Sequence, residues 1–110
     1  MEEFVKGEVL VVPFPFSDLS DVKKRPVLVL AVPEGEDIIV CQITSRHRND
    51  CTSIEIIQSD FEVGGLHMNS FIRPQRLFTM DKILVRYSAG KLCKSKIKEV
   101  ENTLIRIFTS

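Results

Sequence analysis

Lys23, Lys24 and Arg25 stand in a row directly before Pro26 and the apolar run Val27 to Val32. A guanidinium is a planar fork of donors that fits oxyanions and stays protonated at any working pH. Pro26 fixes its own φ and biases Arg25 towards an extended conformation. The run behind it is rich in valine, whose branched side chain packs well on a pleated sheet. Arg25 is therefore expected at the mouth of a central strand, on a rigid element with its head free. That placement suits a group that must meet an anion at a fixed angle. Further on, Thr44 and Ser45 close a second apolar run, Ile38 to Ile43. A short hydroxyl side chain at a strand end can be placed accurately and can donate one hydrogen bond. Arg46, His47 and Arg48 follow at once. An imidazole titrates near neutrality, as a general base should, and the flanking positive charge favours its neutral form. Each of these residues also has a bland alternative: a solubilising charge cluster, a β-branched strand residue, a surface histidine.

A hairpin is the element that must bring them together. Pro33 to Asp37 reads as its turn, with Gly35 able to take positive φ. If the two apolar runs pair antiparallel across that turn, Thr44 and Ser45 come to the end of the sheet where Arg25 stands. An earlier strand, Val9 to Val12, runs into Pro13, Phe14, Pro15 and Phe16. Its two prolines remove donors and predict an edge, a bulge or the start of a loop. Thr52 to Ile57 alternates as a strand with one wet face. Asp60 to Leu66, with Gly64 and Gly65, reads as a flexible turn. Ser70 to Ile72 reads as a short strand interrupted at Pro74, Arg76 to Met80 as another, and Ile83 to Tyr87 as a further one, broken at Gly90. Ile97, Val100, Leu104 and Ile107 recur at helical spacing, with Phe108 beside Leu104, and predict a helix over Lys94 to Phe108. Cys93 is a weak cap for it. The pattern predicts a mainly β fold of roughly five to seven strands, a strongly bent antiparallel sheet or small barrel with a C-terminal helix. Residues 1–110 are expected to form a single domain.

Composition narrows the function. A chain of 110 residues that is 44% hydrophobic can bury one core. Fifteen basic and fifteen acidic residues give zero formal charge. That argues against a non-specific nucleic-acid binder, which needs a positive surplus, but leaves room for a local basic patch. No stretch approaches the roughly 20 apolar residues that span a bilayer, and the N-terminus lacks a signal-peptide pattern. A cytoplasmic protein with no membrane partner is expected. Cys41, Cys51 and Cys93 show neither CxxC nor His–Cys spacing, so they are read as reduced thiols, not zinc ligands. No carboxylate cluster suggests a two-metal nuclease, and neither a metal nor any other cofactor is expected.

Several pieces now line up in order. They are Gly7-Glu8-Val9 with Val12-Pro13-Phe14, Lys24-Arg25-Pro26-Val27-Leu28-Val29-Leu30, Cys41-Gln42-Ile43-Thr44-Ser45, Ser70-Phe71-Ile72-Arg73-Pro74, the stretch Arg76 to Asp81, and Gly90-Lys91-Leu92 before the terminal helix. Together they resemble the MazF/PemK family, the toxins of type II toxin–antitoxin systems. Any one piece is weak; the ordered set covers nearly the whole chain and is fairly specific. The resemblance implies an SH3-like barrel that forms a homodimer. It implies an endoribonuclease that cuts single-stranded RNA, often mRNA, without a metal, and a labile antitoxin that blocks the active groove. Arg25, Thr44 and Ser45 are then the expected catalytic residues. Arg25 would stabilise charge on the phosphate under attack by the neighbouring 2′-hydroxyl, and Thr44 would hydrogen-bond that phosphate. Lys23, Lys24, Arg46, His47, Arg48, Arg73 and Arg76 are the expected substrate-binding residues of the groove. Phe14 and Phe16 would stack bases or else belong to the core. The loop from Phe16 to Lys24 lacks the glycines many relatives place there and resembles the PemK-like branch, so no substrate sequence is carried over. Three other functions compete: a non-catalytic nucleic-acid-binding barrel, an SH3-like peptide-binding module and a gyrase-directed toxin of related fold. One tyrosine and no tryptophan weaken the peptide reader, and the matches at Arg25 and Thr44 favour RNA cleavage over gyrase.

Overall fold

A computed structural model of the chain describes residues 3–14, 23–47 and 50–110. Its strands are β1 (Glu8–Phe14), β2 (Lys23–Ala31), β3 (Asp37–Thr44), β4 (Ile54–Ile56), β5 (Phe61–Gly64), β6 (Ser70–Asp81) and β7 (Tyr87–Leu92), followed by the helix α1 (Lys94–Thr109). They form one antiparallel seven-stranded sheet in the order β4-β6-β3-β2-β1-β7-β5, curled into a half-barrel with the helix at its C-terminal end.

Both faces of the sheet are apolar, and this explains the unbroken runs in β1 and β2. Side chains alternate between faces along a strand. Val9, Leu28, Cys41, Ile43, Ile72 and Leu92 share one face, where Val100, Ile97 and Leu104 of α1 cover them. Leu10, Val12, Val27, Val29, Val40 and Met80 share the other, closed over by Phe4, Phe78, Leu84 and Val85. A fully buried side chain of this size contributes about 1.5–3 kcal/mol, so neither face can be given up. The buried stripe of α1 ends at Leu104; Phe108, one turn on, stays 68% exposed. Lys6 of the N-terminal segment pairs with Glu101 on the helix. Lys96 reaches from α1 to β4, donating to the Glu55 carbonyl at 3.2 Å and to the Glu99 carboxylate at 3.1 Å.

The turn between β2 and β3 is made at Gly35, with φ +106°. β2 begins earlier than expected, so Arg25 lies inside the strand, opposite Val12. β1 continues through Pro13, which pairs with Lys24 of β2. The β7 partners of β1 reach only from Glu8 to Val11, so among the described residues the donor that Pro13 lacks faces no neighbouring strand.

Three segments differ from the sequence reading. Gly64 and Gly65 do not form a loose turn after Asp60: Phe61–Gly64 is β5, paired with β7. Gly64 and Gly90 stand opposite each other, and a Cβ on Gly64 would lie 2.1 Å from the Ala89 carbonyl oxygen. Gly90 therefore carries β7 onward instead of ending it. Ile83 to Tyr87 does not form a strand. Lys82–Leu84 is a single 3₁₀ turn, begun by the Asp81 carboxylate accepting the Ile83 N–H at 2.9 Å. Pro74 does not split β6. The strand bulges instead: Cys41 pairs with Leu77 while Gln42 pairs with Arg73, so Pro74, Gln75 and Arg76 have no partner on β3. A bulge is where a proline without an N–H fits a sheet.

Candidate active site

The cleft begins where the apolar rows of the second face run out. Leu10, Val27, Gln42 and Arg73 form one continuous cross-strand row: two core residues, then an amide and a guanidinium. Two residues further along the same strands stand Arg25, opposite Val12, and Thr44, opposite Phe71. Beyond them Phe14 faces Lys23. The result is a cleft of about 300 Å³, with Phe14 contributed by β1, Arg25 by β2, Gln42, Ile43 and Thr44 by β3, and Ser45 and Arg46 just past the strand end.

Thr44 is half-buried, and its Oγ1 accepts the Arg46 N–H at 3.1 Å. That bond holds the hydroxyl oxygen and leaves the hydroxyl proton to be donated. Arg25 is exposed, and among the described residues no carboxylate lines the cleft with it. Two guanidiniums, Arg25 and Arg46, thus meet in one cleft of a chain with zero formal charge. Phe14 is half-buried, its ring centroid 5.4 Å from that of Phe78 and tilted by 58°. It forms a wall braced from the core side.

Arg73 sits apart from these groups. Its side chain is only 16% exposed; Nη2 lies 3.7 Å from an Asp50 carboxylate oxygen, and Nη1 donates to Gln42 Oε1 at 3.4 Å. Asp50 accepts the N–H groups of Ser53 at 2.8 Å and Thr52 at 3.1 Å. Hydrogen bonds from Ser53, joined by Thr52, hold its carboxyl down to about 2. His47 is exposed and rests edge-on against Phe71, centroids 5.1 Å apart at 81°, so it packs on the β6 neighbour of Thr44 and does not line the cleft.

The structure brings Phe14, Arg25, Thr44, Ser45 and Arg46 together. It does not bring Lys23, Lys24 or Arg76 into the lining. By alternation Lys23 shares the Arg25 face and Lys24 the opposite one; Arg76 is exposed in the bulge of β6. Phe16 and Arg48 lie outside the described residues. Gln42 was missed by the sequence reading. Its signal was visible: it is the only polar, non-thiol residue inside the run Ile38 to Ile43. A larger groove of about 400 Å³ between α1, β2 and the segment before β1 is lined by Leu28, Leu30, Val100 and Leu104, with Lys6 and Glu101, already paired with each other, and Lys98 among its charged residues. Among the described residues no three His, Cys, Asp or Glu side chains gather to hold a metal. No helix there is long and apolar enough to cross a membrane.

Residues 5–108 match the family model described as a PemK-like, MazF-like toxin of type II toxin–antitoxin system. No curated protein sequence matches the chain. Among solved structures, the chain is similar to a mycobacterial endoribonuclease in complex with its cognate antitoxin, with a TM-score of 0.73 at 12% identity over 96% of this chain and 95% of that one. It is similar to the Mycobacterium tuberculosis toxin MazF-mt6, with a TM-score of 0.72 at 21% identity over 92% and 95% of the two chains. It is also similar to a MazE–MazF structure from Deinococcus radiodurans, with a TM-score of 0.73 at 16% identity over 94% and 93%.

Proposed function

The chain belongs to the PemK-like, MazF-like toxins of type II toxin–antitoxin systems, and from that membership and the chemistry of its cleft we propose that it is a sequence-specific, metal-independent endoribonuclease acting on single-stranded RNA. One observation carries the proposal: a guanidinium fork and an oriented hydroxyl line the same cleft. In the proposed reaction the 2′-oxygen bonds to phosphorus, and the bond from phosphorus to the 5′-oxygen of the next nucleotide breaks. The 2′-hydroxyl loses one proton and the leaving 5′-oxygen gains one. The products are a 2′,3′-cyclic phosphate and a 5′-hydroxyl. Arg25 spreads the charge that grows on the phosphorane, a role for which its permanent protonation suits it better than base catalysis. Thr44 donates its hydroxyl proton to a phosphate oxygen while the Arg46 N–H holds the Thr44 hydroxyl oxygen. Ser45 and Arg46 extend the anion site, and Phe14 offers a face to a base.

The whole chain, residues 1–110, serves as a single toxin domain in this proposal. It works as a homodimer in the cytoplasm, and its antitoxin partner inserts an acidic segment that competes with RNA for Arg25 and Arg46. The test is incubation of the purified chain and its Arg25→Ala variant with a long unstructured RNA in EDTA, followed by end analysis. Wild type should give cyclic-phosphate and 5′-hydroxyl ends, and R25A should lose most of the cutting. Cleavage that requires added metal, or that survives a 2′-deoxy substitution at the cut site, would overturn the mechanism.

A further inference from the structure

Arg73 reads from its type as one more groove cation, yet both ends of its guanidinium are engaged inside the protein. Asp50 takes Nη2 at 3.7 Å and Gln42 Oε1 takes Nη1 at 3.4 Å. Gln42 stands directly opposite Arg73 across the β3–β6 pair and lines the RNA cleft between Val27 and the Arg25–Thr44 end. A guanidinium has only donors, so the group that meets it must be the amide oxygen of Gln42, not the amide nitrogen. The amide is planar. With its oxygen turned to β6, what Gln42 can offer the cleft is its NH₂.

This matters because a glutamine free to rotate can meet either kind of base edge. It can accept from an amino group and donate to a ring nitrogen at once, as in bidentate contacts to adenine. Here the accepting half is taken. A fixed donor is matched by a carbonyl oxygen and opposed by an exocyclic amino group, which would leave two buried donors facing each other. Asp50 supports the arrangement. It is held by the turn from Asp50 to Ser53, and its carboxyl, held down to about 2 by hydrogen bonds from Ser53 and Thr52, stays ionised at working pH and keeps Arg73 in place.

We propose that Gln42 is a specificity-determining residue of the cleft: oriented by Arg73 and Asp50, it presents its NH₂ to the bound base and selects a base with a carbonyl at pyrimidine C4 or purine C6, uracil or guanine, over one with an amino group at that position, cytosine or adenine. Arg73 and Asp50 are positioning residues in this scheme and touch no substrate. The inference rests on the endoribonuclease proposal for the identity of the ligand as RNA, but not on the bond-breaking step.

The experiment uses the full chain and two readouts. Oligoribonucleotides varied one position at a time, in the matched pairs U against C and G against A, are scored for cutting. The same oligonucleotides with 2′-O-methyl groups, which cannot be cut, are scored for binding by fluorescence anisotropy. At one position the wild type should favour U over C and G over A, the members with a carbonyl at C4 or C6, by about tenfold to a hundredfold. Gln42→Met keeps the shape and removes the donor, and should abolish the preference. Arg73→Met releases the amide oxygen and should flatten the preference towards unity, while Arg73→Lys, which still offers only donors, should keep part of it. A purely structural role for Arg73 would change all substrates together and leave the ratio intact. Circular dichroism of each variant confirms that the fold persists. No preference in the wild type, or one that survives Q42M, overturns the proposal. A binding preference without any cutting would uphold it while removing the nuclease assignment, so the two failures are distinguishable.

Discussion

Thr44→Val separates the chemistry of the cleft from the stability of the fold. Valine keeps the branched shape and removes only the hydroxyl. In the folded protein that hydroxyl accepts one bond, from the Arg46 N–H at 3.1 Å, at the exposed end of β3. Arg46 is exposed, so water can take over its N–H, and the stability cost should be no more than about 0.5–1.5 kcal/mol, the net value of one ordinary hydrogen bond. The effect on cutting should be larger. Loss of one oriented donor to a transition state costs about 2.7–4 kcal/mol, or roughly a hundredfold to a thousandfold in rate. Urea unfolding and single-turnover cleavage of one defined RNA, run side by side, would compare the two. The expected result is a small shift in the unfolding midpoint with a hundredfold or greater drop in rate, and Thr44→Ser should recover much of it. A T44V rate within about threefold of wild type would refute the role of the hydroxyl. So would a rate loss fully accounted for by unfolding.

Other outcomes follow from the same structure. Gly64→Ala should destabilise the fold by at least about 1–3 kcal/mol from its backbone conformation alone, at φ +69°, and by more because the new Cβ meets the Ala89 carbonyl; Gly35→Ala, which meets nothing within 4 Å, should cost less in the same urea titration. Asp50 should titrate near 2 instead of its ordinary 3.8. Its depressed pKa means that its stabilising bonds are fully present above that ordinary value and fade as pH falls towards 2, which the Ser53 amide shift in an NMR titration should track and Asp50→Asn should abolish. Burial raises the Cys41 thiol to about 12, whereas the Ser95 hydroxyl and the Lys96 N–H at the start of α1 lower Cys93. Iodoacetamide at mildly alkaline pH should therefore label Cys93 well before Cys41 by mass spectrometry of the native protein.

What the sequence disclosed and what it withheld divide along a physical line. The hairpin across Gly35, the alternation of Ile54, Glu55 and Ile56 and the stripe of α1 were legible because they depend on neighbours close in the chain. The β5–β7 pairing was not. Two glycines announce conformational freedom, but nothing local says which backbone will come close enough to require it. Pro74 showed only that a donor was missing; whether a strand ends or bulges there depends on β3 opposite. At the cleft, Arg25 and Thr44 could be related through one turn. Arg73 was recognisable as a cation, but its partners Asp50 and Gln42 are set by the long-range β3–β6 register. A charge counted from sequence says nothing about whether it is already spent inside the fold.

A half-barrel leaves two edges that a closed barrel would not, and unpaired strand edges are templates on which other chains can add. Here both edges are short, three residues at β4 and four at β5. β4 is blunted further by side chains. Lys96 occupies the carbonyl of Glu55, and the Asp60 carboxylate takes the N–H of Ile57 at 2.8 Å. On the other side, β5 ends in Gly64, whose left-handed backbone cannot extend a ladder. The hydrogen-bonding groups that would recruit a foreign strand are thus in part already occupied, which guards the open sheet against edge-to-edge aggregation.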